Sequence, residues 1–181
     1  MNLSLQKNIP NRKEASFTLV ELLVVVSIIG LLAGLAFPAI TGAMKAGKKA
    51  EVAAMAEQIR TAVNAFYAEY SAYPTDSSGL VFRKTTSDFL GAISSTNTNG
   101  GNSRGIVFLE VPPKFTNSDG IVTPAGFSKN RTNFFILIDT ENAGFVNPSQ
   151  VSGVTNTNVP SSVAVWVMDP SIENKPVGTF K

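Results

Sequence analysis

The stretch that decides the fold is Ser16-Phe17-Thr18-Leu19-Val20-Glu21, with the apolar run Leu22 to Ile40 behind it. Phe17 to Ile40 is 24 residues long and carries a single charge, Glu21. At about 1.5 Å per residue, a helix of that length reaches roughly 36 Å, enough to cross the core of a bilayer. The run is longer than the apolar region of a cleavable signal peptide, about 7–15 residues, and no A-x-A-like site follows it. A lone carboxylate inside such a helix costs on the order of 2–3 kcal/mol at mid-membrane, so it calls for a partner.

Working outward on the N-terminal side, residues 1–16 are polar, contain Pro10, and show no apolar periodicity. They read as a leader outside the fold. They carry Lys7, Arg12 and Lys13 against Glu14, whereas the rest of the chain has 12 basic and 12 acidic residues. The net charge of +2 therefore lies in the leader. A basic segment before an apolar run places the N-terminus in the cytoplasm and everything after Ile40 outside. Nucleic-acid binding has no support from this charge distribution.

On the C-terminal side, residues 41–74 continue the helix as an amphipathic half. Ile40, Met44, Gly47, Met55, Ile59, Ala62, Val63, Phe66, Tyr70 and Tyr73 recur mostly at i+3/i+4 spacing. That stripe is expected to pack on the chain's own sheet. Lys45, Lys48 and Lys49 follow the apolar run closely and face either lipid head groups or water. Pro38 removes one helical bond and clashes with the preceding turn, so a kink or local melting is expected near Gly34–Pro38. Gly30 and Gly34 make a G-x-x-x-G pair, which allows close helix approach in lipid and is also simply frequent in such segments. Tyr73-Pro74-Thr75 should end the helix.

Residues 75–181 read as a β-rich globular domain. Ser, Thr, Asn and Gly dominate up to Gly105, with a short helix or turn expected around Asp88–Ile93. Strands are expected at 105–111, stopped by Pro112-Pro113, at 133–139, at 144–146 and at 162–168. Three or four strands with turn-rich links make a small antiparallel sheet that needs cover on one face, and the amphipathic helix supplies it. The fold class is therefore α+β: a long N-terminal helix, half membrane span and half amphipathic, packed on a small antiparallel sheet.

Composition excludes much chemistry. The chain has no Cys and no His. Disulfides, thiolate metal sites, and Cys-His or Ser-His-Asp catalysis are ruled out. No phosphate loop, zinc motif or nucleophile elbow occurs, so the chain is read as a non-enzyme. The one metal candidate is an oxygen-ligated calcium ion at Asp139, Glu141, Asp169 and Glu173. Asp139-Thr140-Glu141-Asn142-Ala143-Gly144 only partly follows a calcium-loop pattern, since Ala143 replaces an oxygen donor. Ordinary turn carboxylates, with no cofactor, are the expected reading.

The string Phe17-Thr18-Leu19-Val20-Glu21-Leu22-Leu23-Val24-Val25, preceded by Arg12-Lys13-Glu14-Ala15-Ser16, closely resembles the start of type IV prepilins and of the pseudopilins of type II secretion. The resemblance covers residues 12 to about 74. It implies cleavage between Ser16 and Phe17 by a prepilin peptidase, which also N-methylates Phe17. The family usually has Gly before the cleaved bond; Ser16 stands there, and its small side chain is expected to fit the same subsite. Cleavage would create an amine about 6 Å from the Glu21 carboxylate, where it pairs within the subunit or with a staggered neighbour. Pairing in apolar surroundings selects one axial register. The resemblance further implies a bacterial inner-membrane protein, single-pass, with its C-terminal domain in the periplasm. Its partners would be copies of itself, other pilin-like subunits, the peptidase, an inner-membrane assembly platform and membrane lipid. The cysteine-free outer domain, the few strands, and the Tyr73-Pro74 end followed by Ser78-Gly79-Leu80 resemble the major pseudopilins, some of which bind calcium in C-terminal loops. A pseudopilin is therefore expected, with a type IV pilus subunit (adhesion, motility or DNA uptake) as the alternative and a membrane-anchored binding domain as the third reading.

Overall fold

The computed structural model describes residues 17–94, 99–152, 154–155, 158–172 and 175–180. Two compact units are present, residues 1–43 and residues 44–181. The first consists, as described, of the beginning of helix α1 (Leu19–Tyr70). Its backbone stays helical through Pro38, so the local melting expected there does not occur. The Thr41 hydroxyl donates to the Pro38 carbonyl at 2.9 Å.

In the second unit, α1 buries Val52, Met55, Ala56, Ile59, Ala62, Val63 and Phe66. The 3.6-residue period thus delivers one apolar face, as read from the sequence. Ile40 and Met44, included in the expected stripe, are 57% and 61% exposed; burial begins only at Val52. The helix ends at Tyr70, three residues before the Tyr73-Pro74 signal. Ser71 takes a left-handed conformation, φ 54°, and its N–H donates to the Tyr67 carbonyl at 2.8 Å. One left-handed residue stops the helix before the proline can.

The expected short helix is α2, Ser87–Ser94, which buries Phe89, Ala92 and Ile93 against the same core. A two-stranded hairpin, β1 (Thr116–Asn117) with β2 (Gly120–Ile121), follows. The three-stranded antiparallel sheet has the order β3-β4-β5, with β3 at Phe135–Ile138, β4 at Val163–Met168 and β5 at Pro176–Gly178. A four-residue helix, α3 (Ser149–Ser152), lies in the link between β3 and β4. The α+β class is confirmed.

The sheet is covered on both faces, not one. Ile136, Ile138, Val163, Val165 and Val167 face the core shared with α1. Phe135, Leu137, Ala164, Trp166 and Met168 face a second cluster made with Val146, Val151, Val154, Val159 and Phe180. This is why Val163-Ala164-Val165-Trp166-Val167 is an unbroken apolar run and every one of its side chains is buried. The segment 144–159 supplies that second cover. Among the described residues it makes one β-bridge, through Val146 and Val159, whose amides each donate to the other's carbonyl at 2.9 Å. The short strand expected at 144–146 is represented by the single bridge at Val146.

The strand expected at 105–111 does not form. Its amides at Phe108 and Leu109 both turn to the Ile93 carbonyl at the end of α2, at 2.8 and 3.2 Å. Its alternating apolar residues serve packing: Phe108 lies 5.3 Å from the Phe66 ring, and Leu109 is buried. Part of the supposed loop at 75–105 is extended instead. Arg83–Thr85 lines the outer edge of β3, with Ile136 N–H to the Arg83 carbonyl at 2.9 Å and Thr85 N–H to the Phe134 carbonyl at 3.0 Å. That cover removes an open sheet edge. At the other edge, Gly178 fits because a Cβ there would lie 2.2 Å from the Val165 carbonyl oxygen.

Candidate functional site

The candidate site is the N-terminal motif and the helix it starts. Ser16, the expected residue before the cleaved bond, lies outside the described residues. Phe17 is 72% exposed. Thr18 precedes the first helical residue, and its side chain accepts the Glu21 N–H at 3.2 Å. Glu21 Oε2 accepts in return from the Thr18 N–H at 2.9 Å and the Thr18 hydroxyl at 2.8 Å. Thr18-Leu19-Val20-Glu21 is thus a reciprocal capping box, T-x-x-E. It satisfies helix N-terminal amides that have no intrahelical partner. The acidic side chain also sits where the helix dipole favours it. The T-x-x-E spacing of Thr18 and Glu21 is the sequence signal of this cap.

Every large apolar side chain between Phe17 and Ile40 is open to its surroundings, from Val24 at 48% to Leu19 at 78% exposed. An 18-residue window of this segment has a mean hydropathy of 2.6 and nothing buried inside the protein. By length and composition the helix can cross a membrane. Its polar side chains are satisfied locally: the Ser27 hydroxyl donates to the Leu23 carbonyl at 2.8 Å. Positions Gly30 and Gly34 meet nothing within 4 Å beyond the helix, so the G-x-x-x-G face is open.

Of the four suggested calcium ligands, the three among the described residues, Asp139, Glu141 and Asp169, do not converge on one site. Asp139 Oδ1 accepts the Ala143 N–H at 3.0 Å and Oδ2 accepts the Gly144 N–H at 2.7 Å. Those bonds, led by the one from Ala143, outweigh the cost of burial and hold the carboxyl below the usual aspartate range. Glu141 is exposed on the same turn. Asp169 is instead paired with Lys49, Nζ to Oδ2 2.7 Å, and accepts the Ser171 N–H at 2.8 Å. The Asp139 amide bonds to the Ser162 carbonyl at the start of β4, while Asp169 follows the end of that strand. Seven residues of strand separate the two positions, about 23 Å, too far to share an ion. Glu173 lies outside the described residues. Among the described residues, no three acidic side chains converge.

Sequence comparison bears on the N-terminal motif and on up to 68% of the chain. The profile of the prokaryotic N-terminal methylation motif matches residues 11–37. The chain is 28% identical over 123 residues to a fimbrial protein of Neisseria meningitidis serogroup A, covering 68% of this chain and 61% of the relative. It is 30% identical over 81 residues to the type IV major pilin protein PilE1 of Neisseria gonorrhoeae, 45% of this chain and 49% of that one. A second gonococcal major pilin, PilE, matches over 66 residues at 33%, or 36% and 40% of the two chains. The chain is thus similar to type IV pilins over at most 68% of its length. It spans about half the length of the curated relatives it matches. No solved structure matches it.

Proposed function

We propose that the chain is a structural subunit of a helical filament, held in the membrane by residues 17–40 until assembly. Removal of residues 1–16 frees the Phe17 amine, and a neighbour's amine then competes with Thr18 for the Glu21 carboxylate. The basic leader gives the orientation: N-terminus cytoplasmic, folded domain on the far side of a bacterial inner membrane. The similarity to fimbrial and type IV major pilin proteins supports a pilus-type subunit. A type II secretion pseudopilin is the second reading, favoured by the cysteine-free outer domain. Prepilin peptidase, the assembly platform and other pilin-like subunits are the partners in either case.

The observation that carries the proposal is Glu21: the only charge between Phe17 and Ile40, placed in the first helical turn beside the expected new terminus. Its capping role makes Glu21→Gln a clean test, because glutamine at this position also closes a capping box. The variant keeps the helix start and loses only the charge. Intact mass should still give a chain beginning at Phe17, membrane insertion should persist, and filaments in the shear fraction should disappear. A Glu21→Gln chain that is processed and assembles at the wild-type level overturns the pairing role. Deleting the chain distinguishes the two readings: loss of surface filaments supports the pilus, and retention of normally exported folded proteins supports the pseudopilus.

A further inference from the structure

Three lysines meet at one cleft of the folded domain. Lys45, Lys48 and Lys49 line it from α1, and Gly126, Pro170 and Ser171 close it from two loops. Its volume is about 80 Å³. A pocket for a whole small molecule occupies ~300–1,000 Å³, so this cleft is on the scale of a single phosphate group. Two of the ammonium groups are held in place. Lys48 Nζ donates to the Gly126 carbonyl at 3.1 Å, and Lys49 Nζ contacts Asp169 at 2.7 Å. Lys45 is exposed and has no ion-pair or hydrogen-bond partner among the described residues. With Asp169 offsetting Lys49, the cleft remains net positive.

The neighbours of this cleft in the chain are apolar and exposed: Met44 beside Lys45 is 61% exposed, and Ile172 beside Ser171 is 46% exposed. One exposed lysine and two partly exposed ones beside exposed apolar side chains match the make-up of surfaces that lie on a bilayer interface. Lys45 stands five residues after Ile40, the end of the apolar run. Even a fully extended link of five residues spans only about 18 Å, so the cleft is tethered close to the head groups.

We propose that this cleft binds the head-group phosphate of an anionic phospholipid, seating the folded domain on the membrane with Met44 and Ile172 in the head-group layer. The inference rests on the reading of residues 17–40 as a membrane anchor. The chain has no cysteine, so Ile172→Cys provides a unique thiol for an environment-sensitive fluorophore. The full chain is reconstituted in vesicles of phosphatidylcholine alone or mixed with phosphatidylglycerol. The expected result is a blue shift that grows with phosphatidylglycerol and fades in high salt. Lys45→Ala should raise the phosphatidylglycerol needed roughly fivefold, the effect of one lysine near a charged surface. Equal emission in both vesicles, or an unchanged Lys45→Ala titration, overturns the proposal. So does a shift produced by inorganic phosphate without anionic lipid, or one that follows protein density and not lipid, which would assign the patch to a neighbouring subunit. A carbonate wash separates the two failures. A chain that washes off overturns the anchor reading itself, whereas one that stays without a lipid-dependent shift overturns only the present inference.

Discussion

Replacing Asn102 by alanine should be among the most damaging single changes in the folded domain. Asn102 is fully buried. Its Oδ1 accepts from the Tyr70 hydroxyl at 2.8 Å and the Ile106 N–H at 3.0 Å. Its Nδ2 donates to the Ala92 carbonyl at 2.9 Å and the Ile106 carbonyl at 2.8 Å. One side chain therefore fastens the end of α1, the end of α2 and the 102–106 loop together. Net values of about 0.5–1.5 kcal/mol per bond give roughly 2–6 kcal/mol for Asn102→Ala, weighted upward because the abandoned partners stay buried. A domain of this size is stable by about 5–15 kcal/mol, so the variant should be marginal. The assay is a urea melt of residues 44–181, which should be soluble and cooperative without the membrane half. With a slope of about 2 kcal/mol per M, the middle of the usual range, the midpoint should drop by roughly 1–3 M.

The same network supplies a control for that experiment. Tyr70→Phe deletes the hydroxyl that also accepts the Arg104 N–H at 3.1 Å, and should cost about 1 kcal/mol. Since Tyr70 and Asn102 share a bond, the double variant should lose less than the two singles added, by at least ~0.5 kcal/mol. A midpoint shift for Asn102→Ala below that of Tyr70→Phe, or strict additivity, would refute the network argument.

Two further outcomes follow from the carboxylates. Burial alone would raise the Asp169 carboxyl, but the Lys49 hydrogen bond and charge and the Ser171 N–H outweigh it and hold it below the usual aspartate range. The folded value lies below the unfolded one, so this contribution is complete above pH ~4 and is lost as pH falls through the folded value. Asp169→Asn should lower stability by roughly 1.5–3 kcal/mol at neutral pH, with the gap to wild type closing on acidification; a gap that persists into acid would contradict the ion pair's role. We further propose that Asp139 is a turn carboxylate, since both its oxygens are taken by Ala143 and Gly144 amides. Urea midpoints should then be the same in calcium and in chelator, and a rise with calcium would restore an ion site at turn 139–144.

How much of this was legible without the fold depends on the range of the interaction involved. The membrane-length helix, the capping spacing Thr18-x-x-Glu21 and the stripe from Met55 to Phe66 are local. Each is fixed by residues within a few positions of one another, so the linear string contains them. The strands at 135–138 and 163–168 were legible for the same reason: their β-branched and aromatic runs suit a buried sheet wherever it sits.

The tertiary structure decided what depends on a distant partner. At 105–111 the Phe108 and Leu109 amides go to the Ile93 carbonyl at the end of α2, a distant partner that no local pattern encodes. The second cover over Trp166 comes from Val146, Val154 and Val159, whose spacing carries no period. Asp139 and Asp169 read alike as acidic residues after strands, yet antiparallel pairing sends them to opposite ends of the sheet. The chain fixed which residues could ligate, bury or pair; the register of β3 on β4 fixed which of them meet. Lys49 and Asp169 lie far apart in sequence and 2.7 Å apart in space. That contact exists because the helix face and the end of β4 are held together by a common apolar core, to which each contributes only part.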